Sequence, residues 1–147
     1  MTDDTRITLE QFIAKHRITA TAARVDRNPN MEGAGRAPAF KDTPVDMDHW
    51  RVTLRRPGAK LTVYFSKGFG HEGKPAEANE VLNSLALDSS GVENASGFAD
   101  WCGEYGYDTD SRKAHKTYKI CERQMERLLK FLGTEAYDEL LWHTEGL

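Results

Sequence analysis

Two runs of alternating apolar and polar residues mark the centre of the chain. Residues 50–55 (WRVTLR) and 61–66 (LTVYFS) place apolar side chains at every second position. Strict alternation is typical of a strand with one buried face, and the Pro57-Gly58 pair between the runs is a turn signal. The pattern therefore predicts a β-hairpin over 49–67, whose polar face carries Arg51, Arg55 and Tyr64.

The residues before the hairpin predict one helix and one strand. Thr8, with Gln11 three positions later, forms a capping-box pattern ahead of apolar residues at helical spacing. Loose alternation of β-branched residues within 1–27 then predicts a strand after this helix. Residues 28–48 are rich in Gly, Pro, Asn and Asp and have no periodicity, so we expect a flexible loop there.

Helical spacing dominates residues 75–147 and predicts four helices. The first would begin with Pro75 in its first turn and give way to a loop at 89–96, SSGVENAS. A short helix capped by Ser96 would follow. The long third helix would run over 111–132, with Asp108 or Asp110 as its cap and Gly133 at its end, and Thr134 would cap the last helix.

The long helix carries two stripes at spacings of three and four. The apolar stripe, which we expect to face the core, consists of Ala114, Tyr118, Cys121, Met125, Leu128 and Leu132. The basic stripe, on the opposite side, consists of Arg112, Lys116, Lys119, Arg123, Arg127 and Lys130. A solvated face is the simplest interpretation of the basic stripe. In a chain of net charge -3 it is also a local excess of cations, which suits a phosphate backbone or an acidic protein surface.

The order of the elements predicts the fold class. Strands come first and helices later, which is typical of an α+β fold: a small antiparallel sheet, made of the hairpin plus one strand, packed against a C-terminal helical region. A length of 147 residues predicts one domain, 1–147. The N-terminal residues MTDDTRITLEQ lack the basic start and apolar run of a signal peptide, and no apolar run approaches the ~20 residues of a membrane span. We therefore expect a cytoplasmic protein with no membrane contact.

A glycine-rich stretch follows the hairpin. Gly68, Gly70, Gly73 and Lys74 give the order G-x-G-x-x-G-K between a predicted strand and a predicted helix. A dinucleotide fingerprint requires a parallel βαβ unit, which a hairpin strand cannot provide, and a phosphate loop requires Ser or Thr where Pro75 stands. A strand-to-helix connection is the interpretation we favour, and an anion site at the helix N-terminus is the alternative.

No spacing of residues indicates catalysis or metal binding. The five histidines are scattered, and no H-E-x-x-H or paired Cys/His motif occurs. Cys102 and Cys121 lie in helical patterns and are expected to be free thiols in a reducing compartment. We therefore expect no catalytic residue, no metal and no cofactor, and an enzyme is the less favoured interpretation. Tyr105 or Tyr107, on either side of Gly106, is a candidate exposed contact residue.

Two stretches, MDHWRVTLRR…KLTVYFSKGFGH and FADWCGEYGYDTDSRKAHKTY, together with the lead ARVDRNPNM, resemble small accessory proteins encoded by tailed phages and prophages of bacteria. The resemblance covers most of residues 20–145. It implies a non-enzymatic protein in the cytoplasm of a bacterial host, where it inhibits or redirects a host protein or nucleoprotein complex. Bacterial immune effectors of the CRISPR type are such complexes, so the resemblance implies an anti-CRISPR-like role.

Two other functions remain open from the residues themselves. The basic stripe could make the chain a nucleic-acid-binding accessory protein. The glycine-rich stretch could instead serve an enzyme or binder of a phosphorylated ligand. The oligomeric state is left open by the sequence.

Overall fold

The computed structural model describes residues 6–31, 48–67 and 74–145. Within them the predicted α+β fold is confirmed, with five helices and the predicted three-stranded antiparallel sheet. In chain order the elements are β1 (Ile7–Thr8), α1 (Leu9–Lys15), β2 (Thr19–Val25), a 3-10 turn (Pro29–Met31), β3 (Asp48–Arg56), β4 (Ala59–Lys67), α2 (Ala78–Asn94), α3 (Phe98–Tyr105), α4 (Arg112–Leu132), α5 (Thr134–Trp142) and β5 (Thr144–Glu145). Residues 32–47, most of the predicted flexible loop, lie outside the described ranges.

The antiparallel sheet has the strand order β2-β3-β4, so β2 and β4 are its two edges. The predicted hairpin is confirmed, and its turn places Gly58 at φ +83°, a backbone conformation that favours glycine. Register places Ala22, Val52 and Val63 side by side. Because directly paired residues share one face of a sheet, the apolar positions of all three strands turn to the same side.

The main core lies between this apolar face and four helices. Fully buried side chains come from every layer: Phe12 from α1, Leu54 from β3, Leu82 from α2, Leu128 from α4 and Leu140 from α5. Burying an aliphatic or aromatic side chain of this size contributes roughly 1.5–3 kcal/mol. The helices are therefore held to the sheet by their apolar stripes, as their spacing predicts.

A second cluster forms where α3 meets the first half of α4. Trp101 is buried there and its ring is parallel to that of Tyr107, with centroids 5.4 Å apart. Tyr118 approaches the indole edge-on at 5.2 Å, and Tyr105 is tilted against it at 5.4 Å. The expectation of an exposed contact residue at Tyr105 or Tyr107 is wrong, because Tyr107 is buried and Tyr105 is half-buried in this cluster.

Several predicted helix boundaries are also wrong. The first C-terminal helix, α2, begins at Ala78 rather than at Pro75, and it continues through the predicted loop to Asn94. Gly97, not Ser96, precedes α3. Ser111 caps α4 by accepting the backbone N–H of Ala114 at 3.2 Å, and Gly133 precedes α5, so Thr134 is its first helical residue.

The two ends of the described chain meet, which the sequence did not predict. Ile7 pairs with Thr144 in a two-stranded parallel ladder of β1 and β5. The Ile7 N–H also donates to the carbonyl of His143 at 3.2 Å. A pairing between residues this far apart in the chain has no local signal, since each strand has only two residues.

Candidate binding surface

The face of the sheet turned away from the core is polar. Register places Arg51 opposite Tyr64 on this open face. Arg51 and Arg55 are exposed and Tyr64 is half-buried. Arg55 Nη1 donates to Thr21 Oγ1 on β2 at 2.9 Å. The polar hairpin face predicted from the alternation is therefore present, with Arg55 held toward the β2 side and Tyr64 on the opposite edge strand.

The basic stripe of α4 is bonded to the outer edge of β4 through Arg127. Its other five cations, Arg112, Lys116, Lys119, Arg123 and Lys130, are exposed. Arg127 is half-buried. Its Nη2 donates to the carbonyl oxygen of Thr62 at 2.5 Å and its Nη1 to Gln124 Oε1 at 3.2 Å. Arg127 therefore joins the basic stripe to the outer edge of β4.

A second bond fixes the direction of α4 along that edge. Arg56 Nη1, beside the hairpin turn, donates to the carbonyl oxygen of Phe131 at 3.2 Å. The end of α4 thus lies near the turn, while Arg127 is bonded at Thr62, further along β4. The helix consequently runs antiparallel to β4.

A cleft of about 320 Å³ lies between β4 and α4. Three consecutive strand residues, 62–64, form one wall, and the flank of α4 that carries Ile120 and Arg127 forms the other. A neighbouring cavity of about 20 Å³ shares part of this lining and extends to Ser84 and Asp88 of α2. The cleft lining combines the exposed Arg123 and the half-buried Arg127 with the half-buried apolar residue Ile120.

The chain after β2 crosses the open face to reach this cleft. Asn28 is 2% exposed; its Nδ2 donates to Ser66 Oγ at 3.1 Å and its Oδ1 accepts from the N–H of Asn30 at 3.0 Å. His49 Nδ1 lies 2.7 Å from the same Ser66 oxygen. Since β2 and β4 are opposite edges of the sheet, residues 26–31 must pass over it to place Asn30 in the cleft lining.

Some predicted site residues are brought together and others are not. Tyr64, Arg123 and Arg127 meet at the cleft, and Arg51 lies beside Tyr64 in the sheet. The remaining stripe cations share the outer side of α4 but do not line the cleft: Arg112, Lys116, Lys119 and Lys130. Arg55 lies on the open face, bonded to Thr21.

Five lining residues were missed by sequence reasoning: Asn30, Thr62, Val63, Ile120 and Gln124. Ile120 had a signal, since it is an apolar residue of α4 that belongs to neither stripe and so lies on the flank between them. Asn30 had no such signal in the sequence, because it reaches the cleft only through the path of residues 26–31 over the sheet.

The glycine-rich stretch is described only at its end. Gly68, Gly70 and Gly73 lie outside the described residues, and Lys74 is exposed. At the start of α2, Glu80 Oε1 accepts the backbone N–H of Glu77 at 2.9 Å and also Lys67 Nζ at 2.9 Å. A carboxylate of the chain itself therefore already occupies the positive end of this helix, which is where the anion hypothesis places a phosphate.

Two ion pairs, each with one buried member, stand at the same end of the sheet. The side chain of Lys67 is 5% exposed and pairs with Glu80, and that of Asp48 is 7% exposed and pairs with Arg24. The Arg24 guanidinium also lies 5.9 Å from the ring centre of Trp50. A buried charge is destabilising unless it is paired, so we assign a structural role to both pairs rather than a role in ligand binding. The pair of Lys67 and Glu80 joins β4 to α2, and the pair of Arg24 and Asp48 joins β2 to β3.

The described residues contain no group of three His, Cys, Asp or Glu side chains that could hold a metal ion. Cys102 and Cys121 are both buried, and neither forms a disulfide among the described residues. Burial, with the nearby charge of Asp108, raises the pKa of the Cys102 thiol. This shift disfavours the thiolate that a nucleophile would need.

No protein-family model, curated protein or solved structure matches this chain. In the part of the chain that the structure describes, no helix is both long enough and apolar enough to cross a bilayer. The cleft between β4 and α4, with the cations around it, is accordingly the feature from which a function is inferred.

Proposed function

We propose that this chain is a non-enzymatic binding protein that engages an acidic surface of a partner protein through the β4–α4 cleft and its surrounding cations. The observation that carries the proposal is the meeting of Tyr64, Arg123 and Arg127 at one cleft that also has apolar lining. Concave sites with apolar walls and a few placed polar groups are typical of binding sites. Tyr and Arg are also among the side chains that contribute most to protein interfaces.

The distribution of charge supports an acidic partner. The exposed cations of α4 stand beside the cleft, and Arg51 lies across from Tyr64 on the adjoining sheet face. Exposed rim charges contribute little to affinity individually, but together they accelerate encounter with a surface of opposite sign. We assign the apolar part of the cleft to affinity and the basic stripe to steering.

The biological setting of the proposal is a bacterial host cell. It is supported by the resemblance of residues 20–145 to accessory proteins of tailed phages. In that setting the partner is a host protein or nucleoprotein complex, such as a CRISPR-type immune effector, and binding inhibits or redirects it. Effectors of this kind present basic channels to nucleic acid. Because the cations of this chain would be repelled there, the cleft would engage an acidic surface elsewhere on the complex.

Nucleic acid binding is the second candidate. The observation in its favour is the row of exposed cations on α4, of which Arg123 lines the cleft together with Tyr64. Binding to a phosphate backbone would fall steeply with salt, with a slope of about -0.9 per phosphate contacted on B-form DNA. A protein interface with a buried apolar centre is expected to weaken much less. The apolar lining at Ile120 favours the protein partner.

Co-purification from a bacterial host tests the two candidates. The tagged full chain is captured with and without nuclease, next to a variant carrying Lys119→Glu and Arg123→Glu. The matched control carries Arg6→Glu and Lys74→Glu, which change the net charge equally at exposed positions away from the cleft lining. We expect a stoichiometric host protein that survives nuclease, is lost from the α4 variant and is retained by the control.

Two outcomes would reject the proposal. Nucleic acid alone, released by salt, would establish the second candidate instead. A host protein held equally by the α4 variant and the wild type would place the binding surface elsewhere on the molecule.

A further inference from the structure

One wall of the cleft is the outer edge of β4, with which no other strand pairs among the described residues. The two-residue turn makes Arg56 and Ala59 the first hydrogen-bonded pair of the hairpin. Along antiparallel strands, hydrogen-bonded pairs alternate with pairs whose backbone groups point out of the ladder, and Thr62 and Tyr64 belong to the second kind. The backbone N–H and C=O groups of Thr62 and Tyr64 therefore point away from β3, out of the sheet. The bond from Arg127 Nη2 to the Thr62 carbonyl, at 2.5 Å, agrees with this direction.

The opposite wall is one flank of a helix that runs along this edge. Ile120, Arg123, Gln124 and Arg127 follow the spacing i, i+3, i+4 and i+7, so their side chains point to the same side of α4. Arg127 is fixed by its bonds to Thr62 and Gln124, and a guanidinium has five N–H donors, so further donors remain for a ligand. Arg123 is exposed beside it.

An edge strand facing a helix across a cleft is the arrangement by which β-strand addition captures an extended peptide. An added strand lies ~4.8 Å from the edge and bonds to its outward N–H and C=O groups. A volume of about 320 Å³ is at the lower end of ligand pockets, ~300–1,000 Å³, so it admits a short segment rather than a long strand. The two arginines then require carboxylates in that segment.

Building on the function proposed above, we infer that the β4–α4 cleft takes a short, extended, acidic segment of the partner protein by strand addition at Tyr64. The backbone of the segment pairs with the outward N–H and C=O of Tyr64. One side chain of the segment packs against the half-buried Ile120 in the cleft lining. An Asp or Glu side chain of the segment forms an ion pair with Arg123 and with the remaining donors of Arg127.

A peptide titration followed by NMR tests this inference on the intact chain. The probe is a capped hexapeptide that alternates Val and Glu, compared with a Val/Gln peptide of the same length and with the Val/Glu peptide N-methylated along one edge. We expect the Val/Glu probe to shift the amide signals of Tyr64 and Ile120 and to slow hydrogen exchange at the Tyr64 N–H. Both other peptides should bind at least about tenfold more weakly, since one lacks charge and the other lacks N–H donors.

Variants of the chain separate a local carboxylate contact from general attraction. Arg123→Gln should weaken the Val/Glu probe by up to about fivefold, which is the scale of an exposed ion pair. Lys74→Gln, at an exposed position outside both the basic stripe and the cleft lining, should leave its affinity unchanged. If the two variants weakened the peptide equally, its binding would depend on the overall charge of the chain rather than on a contact with Arg123, and the inference would be rejected.

Other outcomes also decide the question. Equal binding of the N-methylated peptide, or shifts confined to the outer side of α4, would reject strand addition. Strand addition would also be rejected if a single-stranded oligonucleotide shifted the amide signals of Tyr64 and Ile120 more strongly than the Val/Glu peptide does. If the peptide fails while host-protein capture still depends on Lys119 and Arg123, strand addition is wrong and the proposed binding function stands. If capture loses that dependence, the proposed function itself is wrong.

Discussion

At the scale of single residues, Tyr137 links the stability of the fold to alkaline pH. It is buried, and its hydroxyl donates to Glu93 Oε1 at 3.3 Å. Burial, and then the charge of Glu93, raise the pKa of Tyr137 to about 12 from an ordinary 10.0. The folded chain therefore holds this proton more tightly than the unfolded chain. The contribution of Tyr137 to the free energy of unfolding is complete below about pH 10 and is lost as the pH rises toward about 12.

We expect Tyr137→Phe to remove this part of the alkaline destabilisation. At neutral pH the variant loses one hydrogen bond, or about 1 kcal/mol of unfolding free energy. Above about pH 10 its disadvantage should shrink, since Phe has no proton to lose. Urea unfolding across this range measures the difference. Glu93→Gln, which keeps the phenol and removes the neighbouring charge, should lower the folded pKa, so the alkaline loss should still begin near pH 10 but be smaller and end sooner. A wild type and Phe variant that decline in parallel would contradict the assignment.

Helix caps illustrate how far sequence reasoning extends at this scale. The pair Thr8 and Gln11 was predicted correctly as a capping box, because both partners are adjacent in sequence. The cap of α4 was not, although Asp108, Asp110 and Ser111 all have suitable side chains. Asp108 Oδ1 instead accepts the N–H of Asp110 at 3.0 Å, which forms a turn before the helix and leaves Ser111 as the cap. Local alternatives of similar energy cannot be ranked from residue type alone.

At the scale of elements, α2 is where local propensity and packing disagree. Ser89, Ser90 and Gly91 predict a loop, yet the helix continues through them. Ser89 and Val92 are buried, so tertiary packing outweighs the weak helix propensity of this stretch. The hairpin and α4 were predicted because periodicity and packing agree there. The β4–α4 cleft could be predicted only in part, since its walls are far apart in sequence.

Gly91 has a packing reason of its own. A Cβ atom there would overlap Tyr105 Oη and lie 3.2 Å from its Cζ, and Tyr105 is held against Trp101. We expect Gly91→Ala to destabilise the fold by about 1–2 kcal/mol, despite the gain in helix propensity. Tyr105→Phe in the same chain should recover part of this loss, with a coupling of about 1 kcal/mol. Thermal unfolding of the two single variants and the double variant gives that coupling.

The matched control is Gly103→Ala. Gly103 is also helical, but a Cβ atom there would have nothing within 4 Å. It should therefore stabilise the chain by roughly 0.5–1 kcal/mol through helix propensity alone. If both glycine variants stabilise to the same extent, Tyr105 does not limit the packing of α2 against α3.

At the scale of the whole molecule, closure of the described chain ends depends on Glu139. Its Oε2 accepts from Lys15 Nζ at 2.7 Å, and its Oε1 lies 2.8 Å from His16 Nε2. These contacts tie α1 to α5 beside the paired strands β1 and β5. Burial alone would raise the pKa of Glu139, but the hydrogen bonds from Lys15 and His16 outweigh it and lower the pKa below its ordinary 4.5.

A lowered carboxyl pKa contributes stability above the ordinary value, and this contribution is lost as the pH falls through the folded value. We therefore expect Glu139→Gln to cost roughly 1 kcal/mol at neutral pH and progressively less as the pH falls below 4.5. Asp138→Asn, an equal charge change at an exposed position on the same helix, should have little effect. Denaturant unfolding from neutral to acid pH, with hydrogen exchange at Ile7, measures both. A deficit of Glu139→Gln that persists unchanged in acid would mean that the shape of the side chain, rather than its charge, holds the two ends together.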